Sequence, residues 1–273
     1  MITASIVLYN TDIMQLRDII NSYAPNSDRL LYLIDNSVKN IAIAELGVDV
    51  TYVRYIFNNK NVGYGAGHNI AIREAIKLNS TYHLVMNSDL LFDPHIIDTL
   101  ESYMEKNDDI GQIMPKILDR QGAICHLCKL LPTPFDLFIK RFMPFKKIKE
   151  KVMYVFQLKF ADYGKIMNIP YLSGCFMFFR MKALQEIGLF DERFFMYPED
   201  IDITRRMHRK YKTIYYPDVS IVHFYGGGSY KSIKMLLIHL GNMIKYFNKW
   251  GWFFDKERKK INSSVLYDLN FKK

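Results

Sequence analysis

Cysteine is scarce: three residues in a chain of 273, Cys125, Cys128 and Cys175. An odd, low count excludes a secreted disulfide scaffold and fits a reducing compartment. Long apolar runs are also missing. The longest stretch without Asp, Glu, Lys or Arg, Ile166 to Phe179, is broken by Asn168, Pro170, Ser173 and Gly174. It is shorter than the ~18–20 apolar residues that a spanning helix needs. The opening residues Met1 to Asn10 carry no basic leader and read as a first strand rather than a signal peptide. No Gly-x-Ser-x-Gly elbow occurs, so a hydrolase triad has no anchor. Neither a Gly-x-Gly-x-x-Gly fingerprint nor a P-loop is present, and there is no internal repeat. These absences predict a soluble, cytoplasmic chain, free or held peripherally on the inner face of a membrane.

What is present is an ordinary globular mix, with 49% apolar and 24% charged residues, which rules out wholesale disorder. The length allows one or two domains and a sizeable core. Lys and Arg number 37 against 28 Asp and Glu, a net +9. That balance suits phosphates, nucleic acid or an acidic membrane surface, without choosing among them. Aromatic residues, at 15%, favour interfacial or sugar-stacking surfaces beside a core.

The first half alternates strands and helices. Thr3 to Tyr9, Arg29 to Ile34, Val50 to Phe57 and Tyr82 to Met86 read as strands. Ile13, Leu16, Ile20 and Tyr23 recur at helical spacing. A glycine-rich turn precedes a helix near Asn69 to Lys77. Asp93-Pro94 predicts a helix start, with Asp93 as N-cap and Pro94 at the first helical position. Short links between such elements predict a mostly parallel sheet covered on both faces. Ligands then bind beyond the carboxyl ends of the strands, where Asp35, Asn36, Asn87 and Asp89 fall. Residues 116–165 change character, with Pro132, Pro134, Pro144 and the basic-aromatic run Lys140 to Lys147, and read as an insertion or lid. Order returns at Tyr171. Helices are expected over Met181 to Ile187, ended by Gly188, and from Glu199. Strands are expected over Thr213 to Tyr216 and Val219 to Phe224, then an amphipathic helix over Ser232 to Asn248.

Four constellations could carry chemistry. Asn61 to Asn69 alternates Gly63, Gly65 and Gly67 into a helix. It is either a tight strand-to-helix turn or a backbone cradle for an anion. Asn87-Ser88-Asp89 at a strand end is either an Asx turn or the carboxylate of a hard divalent cation. Glu199, Asp200 and Asp202 open a helix behind the aromatic loop Phe194 to Tyr197. Capping explains one acid more readily than three. Glu199 and Asp200 should point different ways, one facing a cleft as base while the other orients it. His223 ends a strand before Gly226-Gly227-Gly228, and is structural, a metal ligand or a phosphate contact. Cys125-His126-x-Cys128 resembles half a zinc site, but no second ligand pair follows at suitable spacing.

Together and in order, these segments resemble the family 2 inverting glycosyltransferases, in particular the rhamnosyltransferase-like branch that builds bacterial surface polysaccharide and O-antigen. The marks are Ser5-Ile6-Val7-Leu8-Tyr9-Asn10, Asp35-Asn36-Ser37, Asn61-x-Gly-x-Gly-x-Gly-x-Asn69, Asn87-Ser88-Asp89, Ser173-Gly174, Gly188-x-Phe190-Asp191-Glu192, Phe195-x-Tyr197-x-Glu199-Asp200-x-Asp202 and His223. The resemblance implies a GT-A fold over residues 1–230. Its nucleotide-sugar-binding half would span 1–115 and its acceptor-binding half 116–230, with a C-terminal amphipathic helical extension over 231–273. By position it implies that Tyr9, Asn10, Asp35, Asn36, Asn61, Gly63, Gly65, Asn69, Asn87, Ser88 and Asp89 face the donor. Asp89 and His223 would hold Mg²⁺ or Mn²⁺, Ser173, Gly174, Tyr197 and Glu199 would face the acceptor, and Asp200 would be the base. Asn87 stands where the family's metal motif has its first acid.

The implied reaction moves a sugar from dTDP-rhamnose or a UDP-hexose to a hydroxyl of a glycan acceptor, free or lipid-linked, with inversion. The basic aromatic middle and Lys231 to Lys260 are either solvated faces or sites for an anionic membrane surface. The Ser232 to Trp252 helix could form a homodimer face. A nucleic-acid binder is disfavoured, because no recognition motif accompanies the charge. A nucleotidyltransferase would want a glycine-rich loop with Lys or Arg after the first strand, where Tyr9-Asn10-Thr11-Asp12 stands. The remaining alternative is a catalytically inactive glycan- or nucleotide-binding relative.

Overall fold

The computed structural model describes residues 1–41, 43–136, 143–224 and 233–271. Strands β1 (Ile2–Leu8), β2 (Arg29–Asp35), β3 (Val53–Phe57) and β4 (Tyr82–Met86) run parallel in the order β3-β2-β1-β4. β4 is buried at every position and β1 at all but Val7, as a parallel sheet covered on both faces requires. Helix α1 (Ile13–Tyr23) starts where Asp12 accepts the backbone N–H groups of Met14 and Gln15. Its Leu16, Ile19, Ile20 and Tyr23 are buried in the main core, the stripe that the spacing predicts.

The sheet continues through β10 (Phe176–Arg180), β6 (Ile110–Leu118), β11 (Lys212–His223) and β5 (Leu90–Leu91). β10 is antiparallel to both β4 and β6, whereas β6 and β11 are parallel to each other. β8 (Met167–Asn168) pairs with β11, and β7 (Cys128–Lys129) with β9 (Tyr171–Leu172) forms a separate ribbon. Further helices are α2 (Tyr64–Lys77), α3 (His95–Glu105), α4 (Lys146–Phe156), α5 (Met181–Ile187), α6 (Glu199–His208), α7 (Ile233–Trp250) and α8 (Lys256–Asp268). The result is the α/β, mostly parallel mixed sheet flanked by helices that the sequence implies.

Several local expectations need correction. The insertion expected from Lys116 begins later, because β6 runs through Leu118 in the centre of the sheet. Residues 140–142 of the Lys140 to Lys147 run lie outside the described residues, as do Gly226 to Gly228, Lys231 and Ser232. α2 starts at Tyr64, so Gly65, Gly67 and Asn69 lie inside its first turns rather than before it. α3 starts one residue late: Asp93 accepts the N–H of His95, and Pro94 occupies the cap. The two strands expected around Pro217 are one, β11, whose register shifts between Tyr216 and Ser220; a residue without an N–H forces such an irregularity. The charged tail also forms a helix, α8, capped by Asp255.

One buried polar chain threads the sheet. Thr3 and Ser5 hydroxyls bracket His83, at 2.8 and 2.9 Å, and Ser5 reaches His68 at 2.7 Å. Burial drives both imidazoles down, His83 to about 3, so they remain neutral hydrogen-bonding groups.

Candidate active site

β1, β2, β4, β6 and β11 end at one edge of the sheet, and antiparallel β10 begins there. A cleft of about 1360 Å³ opens beyond that edge. Its wall includes Asn87 after β4, Ser173 and Gly174 before β10, His223 at the end of β11, and Tyr197, Glu199 and Asp200 at the start of α6. Residues distant in sequence are thus brought into one cavity of the size that ligand sites occupy.

Asp200 is partly buried and firmly held. One carboxylate oxygen accepts the N–H of Gly174 at 3.1 Å and the other the N–H of Ile201 at 2.8 Å. A Cβ on residue 174 would stand 3.1 Å from the Cβ of Asp200, so glycine permits that approach. Burial pushes the carboxyl up to about 6, against the opposing pull of Lys129 and the two N–H groups. Glu199, 4% exposed, lines the same cleft, and its Oε2 has no hydrogen-bond partner. Burial first, and then the charge of Asp200, raise its pKa well above the carboxylate range. The adjacent acids therefore do not diverge as expected. Both border the cleft, one raised to about 6 and the other raised above the usual carboxylate range by burial and its neighbour's charge.

At the other end, His223 Nε2 lies 3.1 Å from Asp89 Oδ1. Burial opposes the charged form of each, but their mutual contact outweighs it. Asp89 is held below its usual range and His223, also helped by Cys175, is raised to about 10. The N–H of Phe224 fixes this turn by donating to the Asp89 carbonyl at 2.8 Å. Among the described residues, no group of three His, Cys, Asp or Glu side chains gathers as a ready metal cage. The half zinc site stays open: Cys125 and Cys128 are unpaired by disulfide, and His126 packs edge-on to Tyr163.

The other expected site residues are placed as follows. Tyr9 is exposed. Asn10 adopts a left-handed φ of 51° and donates its N–H to Ser37 Oγ. Asp35 is fully buried, and its oxygens accept Ser37 N–H, Ile41 N–H and Tyr55 O–H. Asn36 ties Gly63 to Asn58. Asn61 accepts the N–H of Gly63, whose φ of 94° suits glycine and whose added Cβ would collide with the Phe195 carbonyl. Gly65 packs against Phe190. Asn69 is buried and binds both the N–H and the carbonyl of Phe190, and also Glu192. This run thus docks α2 onto the loop leading to Asp200. Ser88 accepts a hydrogen bond from Gln15 at 2.9 Å. Tyr9, Asn10, Asp35, Asn36, Asn61, Gly63, Gly65, Asn69, Ser88 and Asp89 do not line the large cleft, whereas Asn87 does.

Three further residues belong to the site: Tyr64, Lys129 and Arg120. The Tyr64 hydroxyl lies 2.7 Å from the Gly174 carbonyl and 3.0 Å from the Asn87 side-chain oxygen, joining the two ends of the cleft. Lys129 lies over the Tyr171 ring at 4.5 Å, and Arg120 over Phe224 at 4.9 Å. Tyr197, at a strained φ of 90°, meets His239 edge-on. Of the three further residues, only Tyr64, inside the glycine run, had a sequence signal; Arg120 and Lys129 lie where periodicity is poor.

A family model described as "Glycosyltransferase like family 2" matches residues 13–237. The chain belongs to this family. It is 24% identical over 181 residues to the N-acetylglucosaminyl-diphospho-decaprenol L-rhamnosyltransferase of Mycobacterium tuberculosis, a match covering 63% of this chain and 58% of that one. It is 29% identical over 161 residues to the low-salt glycan biosynthesis hexosyltransferase Agl10 of Haloferax volcanii, covering 58% and 47%. The chain thus spans about half the length of the curated relatives it matches. Among solved structures, GalNAc-T7 with UDP, GalNAc and Mn²⁺ superposes with TM-score 0.58 at 14% identity, covering 82% of this chain and 43% of that one. S. aureus TarS 1-349 with UDP superposes with TM-score 0.57 at 12% identity, covering 89% and 65%. These likenesses identify this family 2 glycosyltransferase as a GT-A fold.

Proposed function

We propose that the chain transfers a hexosyl or rhamnosyl group, with inversion, from a nucleoside-diphosphate donor to a hydroxyl of a glycan carried on a lipid. The observation that carries this is the position of Asp200, a carboxyl pushed up to about 6 inside the cleft and pinned by Gly174 and Ile201. A base must be ionised at working pH yet basic enough to take a proton, and a pKa near neutrality meets both demands. The acceptor oxygen attacks the anomeric carbon and the carbon–phosphate oxygen bond breaks. Asp200 takes the hydroxyl proton, and the nucleoside diphosphate departs with the bonding electrons. Glu199, protonated, donates a hydrogen bond from its otherwise unpartnered edge to an acceptor hydroxyl.

Asp89 and His223 fit a divalent cation by their chemistry, since the imidazole of His223, on the cleft wall, meets the carboxylate of Asp89 and could ligate through Nε2 once that nitrogen gives up its proton. They would hold Mg²⁺ or Mn²⁺, which would supply charge neutralisation for the leaving diphosphate. The solved neighbour that contains UDP and Mn²⁺ supports this. The decaprenol-linked substrate in the name of the mycobacterial relative supports the lipid-linked acceptor. Tyr9, Asn10, Asp35, Asn36 and the 61–69 run then shape the donor side, largely by holding backbone in place.

The test is a panel of UDP- and dTDP-sugars with Mg²⁺, Mn²⁺ or EDTA, reading nucleoside diphosphate release with and without a polyprenyl-linked acceptor. Release from one donor, lost in Asp200→Asn with donor binding retained, supports the reading. Loss of donor binding in that variant contradicts the base assignment.

A further inference from the structure

The turn between α7 and α8 displays three consecutive aromatics to solvent: Trp252 is 38% exposed, Phe253 75% and Phe254 97%. Both ends of this turn are anchored. Gly251 carries a φ of 100°, which suits glycine. Arg258, itself buried, donates to the carbonyls of Gly251 and Trp252, the latter at 2.8 Å. Asp255 caps α8 and receives a bidentate pair from the buried Arg205 at 2.7 and 2.9 Å. Trp252 Nε1 is fixed on Asn248. A buried ionic network thus holds apolar side chains out into water, where they cost free energy unless something covers them.

The patch extends along α7. Ile233, Leu237, Leu240 and Ile244 are exposed at successive turns of one face. Leu240, Ile244 and Trp252 also line the active-site cleft. Beside the aromatics, Lys256, Lys259 and Lys260 are exposed on the first turns of α8. Among the described residues, no helix is long and apolar enough to cross a membrane.

We propose that the outer stripe of α7 and the Trp252–Phe254 turn dock on an anionic lipid bilayer, with the aromatics at the acyl boundary and the α8 lysines on the headgroups. A lipid surface fits better than a second copy of this chain. Two copies would bring these lysines together on molecules of net charge +9, whereas an anionic surface attracts them. An apolar face flanked by lysines and aromatics is the pattern of an interfacial helix. Because the stripe runs into the cleft wall, docking would set the cleft mouth against the bilayer, where a lipid-borne acceptor can enter without leaving its membrane. That purpose rests on the acceptor proposed above; the docking itself does not.

The experiment is co-sedimentation of the full chain with phosphatidylcholine vesicles, with or without phosphatidylglycerol, in the absence of donor and acceptor. Wild type should sediment with the anionic vesicles at low salt and be released at high salt. Phe253→Ser/Phe254→Ser should lose about tenfold or more in partitioning, with unchanged melting and unchanged donor hydrolysis. Brominated acyl chains should quench tryptophan fluorescence in wild type. Equal partitioning of variant and wild type, absence of quenching, or conversion of a dimer to a monomer by the double substitution would each overturn the proposal. Since vesicle binding is read without turnover, its failure leaves the transferase reading untouched, and failure of turnover leaves the docking result as measured.

Discussion

Replacing Asp200 by Asn should abolish turnover and at the same time stabilise the protein above pH 6. The carboxyl is pushed up to about 6 from an ordinary value of 3.8. A raised acid contributes stability fully below its unfolded pKa and loses it as pH rises through the folded one. At pH 7.5 the native state therefore carries the cost of an ionised, poorly hydrated group, about 3 kcal/mol for a shift of about two units. Asn removes that cost but not all of the bonding. One amide edge can accept from Gly174 or Ile201, while the other presents N–H to a backbone N–H, a loss of about 1 kcal/mol. The net gain of about 2 kcal/mol corresponds to a melting temperature about 5 °C higher. Below about pH 4 both proteins are neutral at this position, so the advantage should vanish and reverse slightly. Thermal unfolding of the two proteins between pH 4 and 8, followed by circular dichroism, reads this directly. A variant that melts at or below wild type at pH 7.5, or a difference independent of pH, would refute the burial argument. In wild type, the rate constant for transfer should rise with pH through a limb near pH 6 and then level.

The same geometry makes further predictions. Glu199→Gln preserves a neutral donor of the same shape and should keep the acceptor KM within about threefold, whereas Glu199→Ala should raise it about tenfold, the worth of one hydrogen bond in a buried site; equal damage in steady-state kinetics would mean that Glu199 acts ionised. Asp255→Ala leaves the guanidinium of Arg205, 1% exposed, without its bidentate partner and should cost about 3–5 kcal/mol in urea unfolding; a loss below about 1 kcal/mol would show that water reaches the site. Mn²⁺ should tighten UDP or dTDP binding in titration calorimetry of wild type but not of Asp89→Ala, and equal enhancement in both would remove Asp89 from the metal site.

The legible parts of the fold were those with a strong local signal. The buried runs of β1, β2 and β4 and the α1 stripe are unambiguous in the sequence. β10 reads Phe176-Met177-Phe178-Phe179-Arg180 with no alternation, because both faces are covered, and a short apolar run cannot be told from a helix by periodicity. β6 contains Gln112 and Pro115 amid its apolar residues, and no strand was expected there. Within the site, Asn87, Ser173, Gly174, Tyr197, Glu199, Asp200 and His223 were chosen from motif order and all border the cleft. The saturation of Asp35 was not legible, because Tyr55 reaches it only through the pairing of β2 with β3. Lys129 was missed for the same kind of reason: it enters through the β7–β9 ribbon, which no local pattern announces.

How two neighbouring carboxyl groups come to share an unfavourable site follows from the rest of α6. A helix starting with Glu199, Asp200 and Asp202 has its dipole on the acids' side, but that contributes at most about 1–2 kcal/mol. A free helix would rotate or fray to hydrate Glu199 and Asp200. One turn on, that freedom is removed. Asp202, fully buried, receives Arg206, Trp250 and Lys249 at 2.9, 2.8 and 2.6 Å. Arg206 also donates to the carbonyls of Ile187, Gly188 and Leu189, pinning α6 to the end of α5. Arg205 is locked by Asp255 and Glu257. The second turn of α6 is therefore clamped mainly by α7 and α8, while its first turn carries the chemistry. On this account the C-terminal helices keep the Asp200 pKa high by preventing relaxation. A chain cut before α7 would strand Asp202 and Arg205 as buried charges lacking most of their partners, and should fail to fold rather than yield a minimal enzyme.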